Sequence, residues 1–286
     1  MKTYRIAGID LLISFHYEEY FKDNIEKYET KVDSNPKYQI ESFLVDEIKE
    51  PVEAPIKDRN PYICRGKELS YLYIKNTHHQ VKAMFTHDRD FLHSKIYINE
   101  NILENPDEIE YVFMSMIFME IAAREGFFSL HASAIQYHNE IILISAPSQT
   151  GKSTHANYWL KAFDHIHIIN DDKPLIKCIN EKLIVFGTPF SGKNKLNVNT
   201  HAPLKAITFY SQGLDNKIKK LDNDEIRLEL LKNMHRPMEA DLWDIAVTII
   251  DELIDKIPFY RIYATHSIES AITLKNMIYQ GDKHEN

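Results

Sequence analysis

The feature that most constrains this chain is an apolar run that ends in a short polar turn carrying Gly-Lys-Ser. Residues 141–146 read Ile-Ile-Leu-Ile-Ser-Ala, and after a short spacer follow Gly151, Lys152, Ser153 and Thr154. A buried-type strand that leads into such a turn is typical of the phosphate-binding loop Gly-x-x-x-x-Gly-Lys-Ser/Thr. In that loop, backbone N–H groups cradle phosphate oxygens, the lysine reaches the terminal phosphates, and the hydroxyl binds Mg²⁺. The sequence therefore indicates nucleotide binding.

The match departs from the general pattern at its first glycine, where this chain has Ala146. With that position relaxed, the pattern arises by chance in roughly one chain of this length in fifty. A surface turn with a solvated lysine is therefore the alternative. Residues 154–163 have helical character. A phosphate bound by the loop would consequently lie at a helix N-terminus, where the helix dipole favours anions.

Charge and cysteine content narrow the classes of protein. The formal net charge of −8 argues against a general binder of nucleic-acid backbones, since such binding relies on Lys and Arg neutralising phosphates. Cys64 and Cys178 lie far apart in the sequence and form no metal-binding or redox spacing. We expect both to be reduced, small core residues of an intracellular protein.

Two apolar segments are candidates for targeting or membrane segments. The N-terminal run is short and interrupted by Asp10, with no small-residue cleavage site after it, so it predicts a strand. The longest apolar stretch, residues 111–123, contains Ser115 and Glu120 and is too short to span a bilayer. We expect a cytoplasmic protein without a membrane or nucleic-acid partner. A homo-oligomer is compatible with the sequence.

Two domains are expected, with a boundary at residues 107/108. The first, residues 1–107, is rich in short Tyr-, Ile- and Phe-bearing runs that predict strands. These runs span residues 4–15, 38–45, 69–74, 81–85 and 92–98. A helical patch covers residues 18–31, and residues 46–60 predict a loop. A buried helix begins at Asn105-Pro106, where a cap and a first-turn proline precede an apolar run that reaches Ala123.

The second domain, residues 108–286, is predicted to be α/β with a mixed sheet. A hairpin over residues 127–145, with its turn at His138-Asn139, leads into the loop. Further strands are expected at residues 165–172, 183–186, 204–210 and 258–263, and helices at residues 222–234, 240–256 and 268–279. The segment has more predicted strands than a simple alternation of strands and helices would give. This excess favours a mixed sheet.

Two adjacent carboxylates follow the apolar strand after the loop. Asp171 and Asp172 stand at its end, where the chain can turn so that both approach one site. Phosphoryl transfer needs a metal ligand and a group that accepts the proton of the attacking hydroxyl, and the pair would supply both. The alternative is a solvated turn or helix cap formed with Asn170. On spacing alone, a hydrogen-bonded structural role is favoured for His131 over a functional one.

Taken together, these motifs resemble the catalytic domain of bacterial HPr kinase/phosphorylase. The resemblance rests on residues 130–134 (Leu-His-Ala-Ser-Ala), 145–154, 169–174 (Ile-Asn-Asp-Asp-Lys-Pro) and 187–193. It is closer still to shorter relatives labelled ATP-type phosphoenolpyruvate carboxykinase-like proteins. Some of these phosphorylate a serine of a ribosomally made peptide such as a lasso-peptide precursor. The resemblance covers residues 125–265 and implies an HPr kinase/phosphoenolpyruvate carboxykinase-like P-loop core beside a strand-rich N-terminal domain.

The resemblance also implies roles for individual residues. ATP would be bound by Ser148, Gln149, Thr150, Gly151, Lys152, Ser153 and Thr154. Ser153 and Asp172 would bind Mg²⁺. Asp171 would be the base that takes the proton from the acceptor hydroxyl, with His131 beside it near the transferring phosphate.

Two cations are further candidates for contacts with the phosphates or the acceptor. Lys193 lies in a loop that is close to the phosphates or acceptor in the family, and Arg236 is a similar candidate, although both equally fit surface cations. The loop around Ala146 lacks the additional glycines of HPr kinase, which favours an acceptor other than HPr. The N-terminal domain does not resemble that of HPr kinase and would instead present the acceptor.

The resulting hypothesis is an ATP- and Mg²⁺-dependent kinase that transfers the γ-phosphoryl group to a serine hydroxyl of a peptide or small protein. One alternative keeps the enzyme and changes the acceptor, giving a small-molecule kinase or a phosphoenolpyruvate carboxykinase-like enzyme. The other is a nucleotide-binding regulatory module without turnover.

Overall fold

The computed structural model describes residues 1–31, 35–57, 59–147, 150–192 and 195–280. The chain divides into two compact units, Met1–Arg124 and Glu125–Asn286. Both contain a mixed sheet together with helices, so the predicted α/β class is confirmed. Within the described ranges, no helix combines the length and apolar character needed to cross a bilayer.

The first unit is built on an eight-stranded mixed sheet. Its strands are β1 (Lys2–Ile6), β2 (Ile9–Ser14), β3 (Tyr38–Leu44), β4 (Pro55–Lys57), β5 (Tyr62–Arg65), β6 (Leu69–Lys75), β7 (Val81–Asp88) and β8 (His93–Ile98). The spatial order is β1-β2-β3-β8-β7-β6-β5-β4, and the β2–β3 and β3–β8 pairs are parallel. The helices of this unit are α1 (Glu18–Ile25), extended by a 3₁₀ turn at Glu26–Tyr28, and α2 (Pro106–Arg124).

Helix α2 belongs to the first unit, whereas the predicted boundary at residues 107/108 assigned it to the second. The helix is apolar around most of its circumference, and it packs on α1, β3 and β8. Its buried Glu110 carboxylate accepts hydrogen bonds from the backbone N–H groups of His16 and Tyr17 at 2.9 and 2.8 Å. These contacts explain why the helix stays with the N-terminal sheet.

The predicted strand over residues 4–15 is instead the hairpin β1–β2. Ala7 and Gly8 form its turn with φ values of 52° and 83°. Positive φ at successive positions gives the tight twist that two-residue hairpin turns require. The apolar pattern continues through both strands, which is why the run looked like a single strand.

The second unit contains a nine-stranded mixed sheet and four helices in its described part. Its strands are β9 (Phe128–Ser129), β10 (Ala132–Tyr137), β11 (Glu140–Ser145), β12 (His167–Asn170), β13 (Leu175–Ile179), β14 (Lys182–Phe186), β15 (His201–Gln212), β16 (Lys217–Lys220) and β17 (Phe259–Ala264). The helices are α3 (Lys152–Ala162), α4 (Asn223–Asn233), α5 (Asp241–Lys256) and α6 (Ile268–Tyr279). The strand order is β12-β10-β11-β15-β14-β13-β9, with β17 paired to β15 and β16 to β17.

Three parallel strands form the centre of this sheet. Strand β15 pairs in parallel with both β11 and β17. Their carboxyl ends therefore lie at one edge, which is where ligands bind in open α/β sheets. Helices α4 and α5 pack on the face that carries Leu143, Ile207 and Phe259. Helices α3 and α6 pack on the opposite face, against Ile142 and other apolar strand residues.

Most of the predicted elements of this unit are confirmed. The hairpin β10–β11 turns at His138-Asn139 as expected, and the helices after the loop and near the C-terminus are present. Asp222 caps α4 through a capping box with Glu225, which accounts for a start that the sequence located to within one residue. Strands β13 and β16 were not predicted.

Candidate functional site

The loop between β11 and α3 turns into its helix through a left-handed residue. Gly151 has φ 104° and ψ 12° and is the N-cap of α3. A Cβ at this position would lie 3.3 Å from His266 Cε1 and 3.5 Å from the Tyr210 hydroxyl oxygen. Positive φ and this close packing both favour glycine. The predicted ATP contacts Ser148 and Gln149 lie outside the described residues.

Lys152 points into the protein rather than into solvent. It is only 7% exposed, and its Nζ donates a hydrogen bond to the main-chain carbonyl oxygen of Asp171 at 2.9 Å. The same nitrogen lies 4.0 Å from Asp172 Oδ1. Burial lowers the pKa of Lys152 to about 8, against the attraction of the Asp172 and Asp171 carboxylates. The loop lysine and the strand-end acids thus form one cluster.

The Asp172 carboxylate joins this cluster to His131. Its Oδ1 lies 2.8 Å from His131 Nδ1, and its Oδ2 accepts a hydrogen bond from Lys173 Nζ. Burial alone would raise the pKa of the Asp172 carboxyl, but the hydrogen bond from His131 and the charge of Lys173 outweigh it. Together they hold this pKa well below its usual range. Asp172 is therefore ionised throughout the neutral range.

The Asp171 side chain is held by a separate contact. The residue is 3% exposed, and its Oδ1 accepts a hydrogen bond from the Gly192 backbone N–H at 2.7 Å. A Cβ at Gly192 would lie 3.0 Å from that oxygen, which is tighter than ordinary contact. Residue 192 belonged to the segment that carried the family resemblance, but its role toward Asp171 was not predicted.

Asn170 shapes the turn that carries both acids. Its Oδ1 accepts hydrogen bonds from the N–H groups of Asp172 at 2.9 Å and Lys173 at 2.7 Å. Its Nδ2 donates to the Thr188 carbonyl oxygen at 2.9 Å. The turn with Asn170, which is the alternative that the sequence predicts for this segment, is therefore present. It coexists with the cluster, because it orders the backbone from which Asp171 and Asp172 extend.

The remaining predicted residues take different positions. Ser153 is partly buried, Thr154 is exposed, and the Thr150 hydroxyl donates to the Pro147 carbonyl oxygen at 2.7 Å. Arg236 is exposed, and it lies beyond the Leu130–Met234 bridge in the direction that leads away from His131. Among the described residues, no hydrogen bond or ion pair joins Arg236 to the cluster. Lys193 lies outside the described residues.

Donor chemistry tests whether Mg²⁺ fits this site. Among the described residues, no group of three or more His, Cys, Asp or Glu side chains could enclose a metal ion. Mg²⁺ bound with a nucleotide usually takes only one or two carboxylates, with phosphates and waters supplying the other oxygens. The Ser153 hydroxyl and the ionised Asp172 carboxylate fit that sparse set of hard oxygen donors.

A cavity of about 510 Å³ opens beside the cluster, at the carboxyl ends of the parallel strands. Its wall includes His131, Ser145, Phe209, Glu229, Lys232 and Arg261. His131 is thus shared between the cavity and the Asp172 contact. The ion pair between Arg261 and Glu229, at 3.0 Å, was not predicted, because its partners come from a strand and a helix far apart in the sequence.

Comparisons with known proteins leave the family of the chain open. No protein-family model matches the chain, and no curated protein matches it. Among solved structures, it is similar to the HPr(Ser) kinase/phosphatase from Coxiella burnetii, at 13% identity and a TM-score of 0.30. This similarity covers 54% of the present chain and 95% of the other. A similarity at this level does not assign a function, which must rest on the geometry of the site.

Proposed function

We propose that this protein is an ATP- and Mg²⁺-dependent kinase that transfers the γ-phosphoryl group to a serine hydroxyl of a peptide or small protein. The observation that carries the proposal is the cluster of Lys152, Asp171, Asp172 and His131. Three separate segments contribute these residues, and hydrogen bonds join them at the carboxyl edge of the parallel strands.

The nucleotide would bind at the start of α3. Free backbone N–H groups at a helix N-terminus attract phosphate oxygens, and the left-handed Gly151 directs the chain into that terminus. The Lys152 ammonium group lies between the helix and the two acids, so it can neutralise the terminal phosphates. Ser153 and Asp172 would hold Mg²⁺, which would offset the negative charge of the phosphates when bound.

Asp171 would act as the base. The acceptor oxygen forms a bond to the γ-phosphorus while the bond from that phosphorus to the β-bridging oxygen breaks, and ADP leaves with its electron pair. The hydroxyl proton passes to the Asp171 carboxylate. The hydrogen bond from the Gly192 N–H occupies Oδ1, which fixes the direction of the carboxylate. A side chain that is 3% exposed keeps competing water away from the proton.

His131 would position Asp172 and border the acceptor. Its hydrogen bond to Oδ1 keeps that carboxylate oriented and ionised. Because the histidine also lines the cavity, it is the residue that an acceptor would meet on the way to the transferring phosphate. The resemblance to relatives that phosphorylate peptide precursors favours a ribosomally made peptide as acceptor. A cytoplasmic location would supply the ATP.

Transfer of labelled γ-phosphate from ATP to a library of serine-bearing peptides tests this proposal. We expect labelled phosphoserine with the wild-type protein and Mg²⁺, and none when serine is replaced by alanine. Nucleotide binding without transfer to any hydroxyl acceptor would instead support a regulatory module.

A further inference from the structure

We infer that the cavity beside His131 is the acceptor pocket, and that Arg261 and Lys232 make it selective for acceptors with a carboxylate near the reacting hydroxyl. The inference rests on the proposed kinase function and deepens it, because it names the chemistry of the acceptor. The cavity, the charges that line it and its relation to the phosphate site each support it.

The cavity adjoins the phosphate-binding loop through Ala146 and Pro147, but one row of its lining lies on the face of the sheet opposite helix α3. Register pairs Ser145 with Phe209, and Phe209 with Arg261, so these side chains form one row on one face. Phe209 packs in the core cluster of α4 and α5, whereas α3 packs on the other face. A nucleotide held by α3 would border the cavity at its loop side and leave the row of Ser145, Phe209 and Arg261 to a second ligand.

His131 is the point where the two regions meet. It lines the cavity and contacts Asp172, which lies 4.0 Å from the Lys152 ammonium group. A hydroxyl presented from the cavity would thus approach the transferring phosphate past His131. This connection distinguishes an acceptor pocket from an unrelated surface cavity.

The cavity is lined by more cationic than anionic side chains. Arg261 Nη2 lies 3.0 Å from Glu229 Oε1, and Lys232 Nζ lies 3.3 Å from the same oxygen. The Asn233 amide nitrogen is 3.4 Å from the other carboxylate oxygen. Two cations and an amide donor therefore surround a single carboxylate. A second carboxylate entering the cavity would find charged donors with hydrogen-bonding capacity left, since a guanidinium has five N–H groups.

The same helix provides a comparison pair for this assignment. One turn earlier on α4, Glu225 forms an ion pair with Lys219 at 2.6 Å. Lys219 is directly opposite Arg261 in the β16–β17 pairing. Both ion pairs join α4 to the sheet, but Arg261 and Glu229 line the cavity, whereas Lys219 and Glu225 are not among its described lining residues. A purely structural role would apply equally to both pairs.

The size of the cavity limits the acceptor. A volume of about 510 Å³ falls in the range of small-molecule sites and would accept one or two amino-acid residues. The carboxylate could belong to free serine or to an acidic residue beside serine in a peptide. These sources share one chemistry, and separate acceptors distinguish them.

Steady-state transfer to matched acceptors tests the inference. The acceptors are free serine, serine amide, and two short peptides that differ only in Glu or Gln after the serine. We expect the wild-type protein to prefer one carboxylate-bearing acceptor over its neutral partner by about tenfold or more in kcat/KM. Preference within the serine pair would identify the free amino acid, and preference within the peptide pair would identify a peptide.

The variants separate recognition from structure. Arg261→Gln should raise KM for the carboxylate-bearing acceptor about tenfold, leave KM for ATP unchanged and abolish the preference. Lys219→Gln is the matched control. It should leave the KM for the acceptor, the KM for ATP and the preference for the carboxylate unchanged. Glu229→Gln should lower KM for the carboxylate-bearing acceptor, because it removes the competing carboxylate. Loss of binding in both the Arg261 and Glu229 variants would indicate a structural ion pair and overturn the inference. Lys232→Gln tests the same recognition of the carboxylate. Because Lys232 is exposed, this substitution should not disturb folding.

Failure of this inference differs from failure of the kinase proposal. Transfer to serine without discrimination between the paired acceptors would overturn the inference alone. If no acceptor is phosphorylated, the inference can still be tested by binding. Calorimetry then measures the affinity of the same four compounds in the presence of a non-hydrolysable ATP analogue. Tighter binding of a carboxylate-bearing compound, lost in Arg261→Gln, would still support the pocket, and equal or absent binding of the paired compounds would overturn it.

Discussion

The Lys152 ammonium group bonds to the main-chain carbonyl oxygen of Asp171, at 2.9 Å, and not directly to a carboxylate. Its ion-pair partner among the described residues, Asp172, has its Oδ1 atom 4.0 Å from Lys152 Nζ. The lysine is thus anchored to the turn that carries both acids while much of its charge stays available. A phosphate at the start of α3 would meet a preoriented cation.

Nucleotide affinity should fall as pH rises above about 8, because only the ammonium form of Lys152 attracts phosphate. Burial lowers its pKa to about 8, and bound phosphates would raise that pKa again. Binding at higher pH must therefore take up a proton. Calorimetry in two buffers of different ionisation enthalpy measures this uptake.

Lys152→Met should weaken nucleotide binding about tenfold or more and remove the proton uptake. Lys161→Met, at the exposed end of the same helix, should change neither. An affinity that stays constant between about pH 7 and pH 9 would contradict a role for Lys152 in phosphate binding.

Gly192→Ala should slow phosphoryl transfer while nucleotide affinity stays near the wild-type value. The added Cβ would lie 3.0 Å from Asp171 Oδ1, so the carboxylate must turn away from the direction that the Gly192 N–H sets. We expect a fall in kcat of about tenfold to a hundredfold, because small displacements of a base are costly. Equal loss of kcat and nucleotide affinity would show that the substitution disrupts the loop more widely.

Asn170→Ala should lower the free energy of unfolding by about 1–3 kcal/mol, because it leaves buried backbone partners without their hydrogen bonds. The amide accepts from the Asp172 and Lys173 N–H groups and donates to the Thr188 carbonyl oxygen. Urea denaturation measures the change. Asn223→Ala, at an exposed position in the first turn of α4, should shift stability by no more than about 0.5 kcal/mol. A neutral Asn170→Ala would contradict this account of the turn.

The loop and its flanking elements could be predicted because their signals are local. Four consecutive apolar residues predicted β11, and the helical character of residues 154–163 predicted α3, which begins two residues earlier at Lys152. The acids at the end of β12 were predicted for the same reason. Contacts between distant segments could not be predicted. The Gly192 N–H reaches Asp171 only because a loop 21 residues later folds back onto it, and the Arg261–Glu229 pair depends on the packing of α4 against β17.

His131→Ala should destabilise the protein near neutral pH and have less effect in acid. The His131 hydrogen bond and Lys173 hold the pKa of Asp172 below its usual range despite burial, so the stability they provide is present above the unfolded value of 3.8. It is lost as pH falls through the lower folded value. Because the histidine is partly exposed, the His131–Asp172 contact should stabilise the protein by about 1 kcal/mol.

Urea denaturation of His131→Ala and wild type between about pH 1.5 and pH 7 should therefore show a difference that shrinks at the acid end, below the unfolded pKa of Asp172. His167→Ala, at an exposed position on β12, is the control and should show no such trend. A difference that is independent of pH would mean that His131 acts through packing and not through the Asp172 carboxylate.

The most direct test of the central claim is the single-turnover rate of phosphoryl transfer in Asp171→Asn, measured with saturating ATP, Mg²⁺ and a serine acceptor. Removing the base while keeping the shape of the side chain should slow transfer by about a hundredfold to ten-thousandfold. The nucleotide dissociation constant should stay within about threefold of wild type. Asp164→Asn, an exposed acid before β12, should transfer at the wild-type rate. Transfer by Asp171→Asn at the wild-type rate would contradict the assignment of Asp171 as the base.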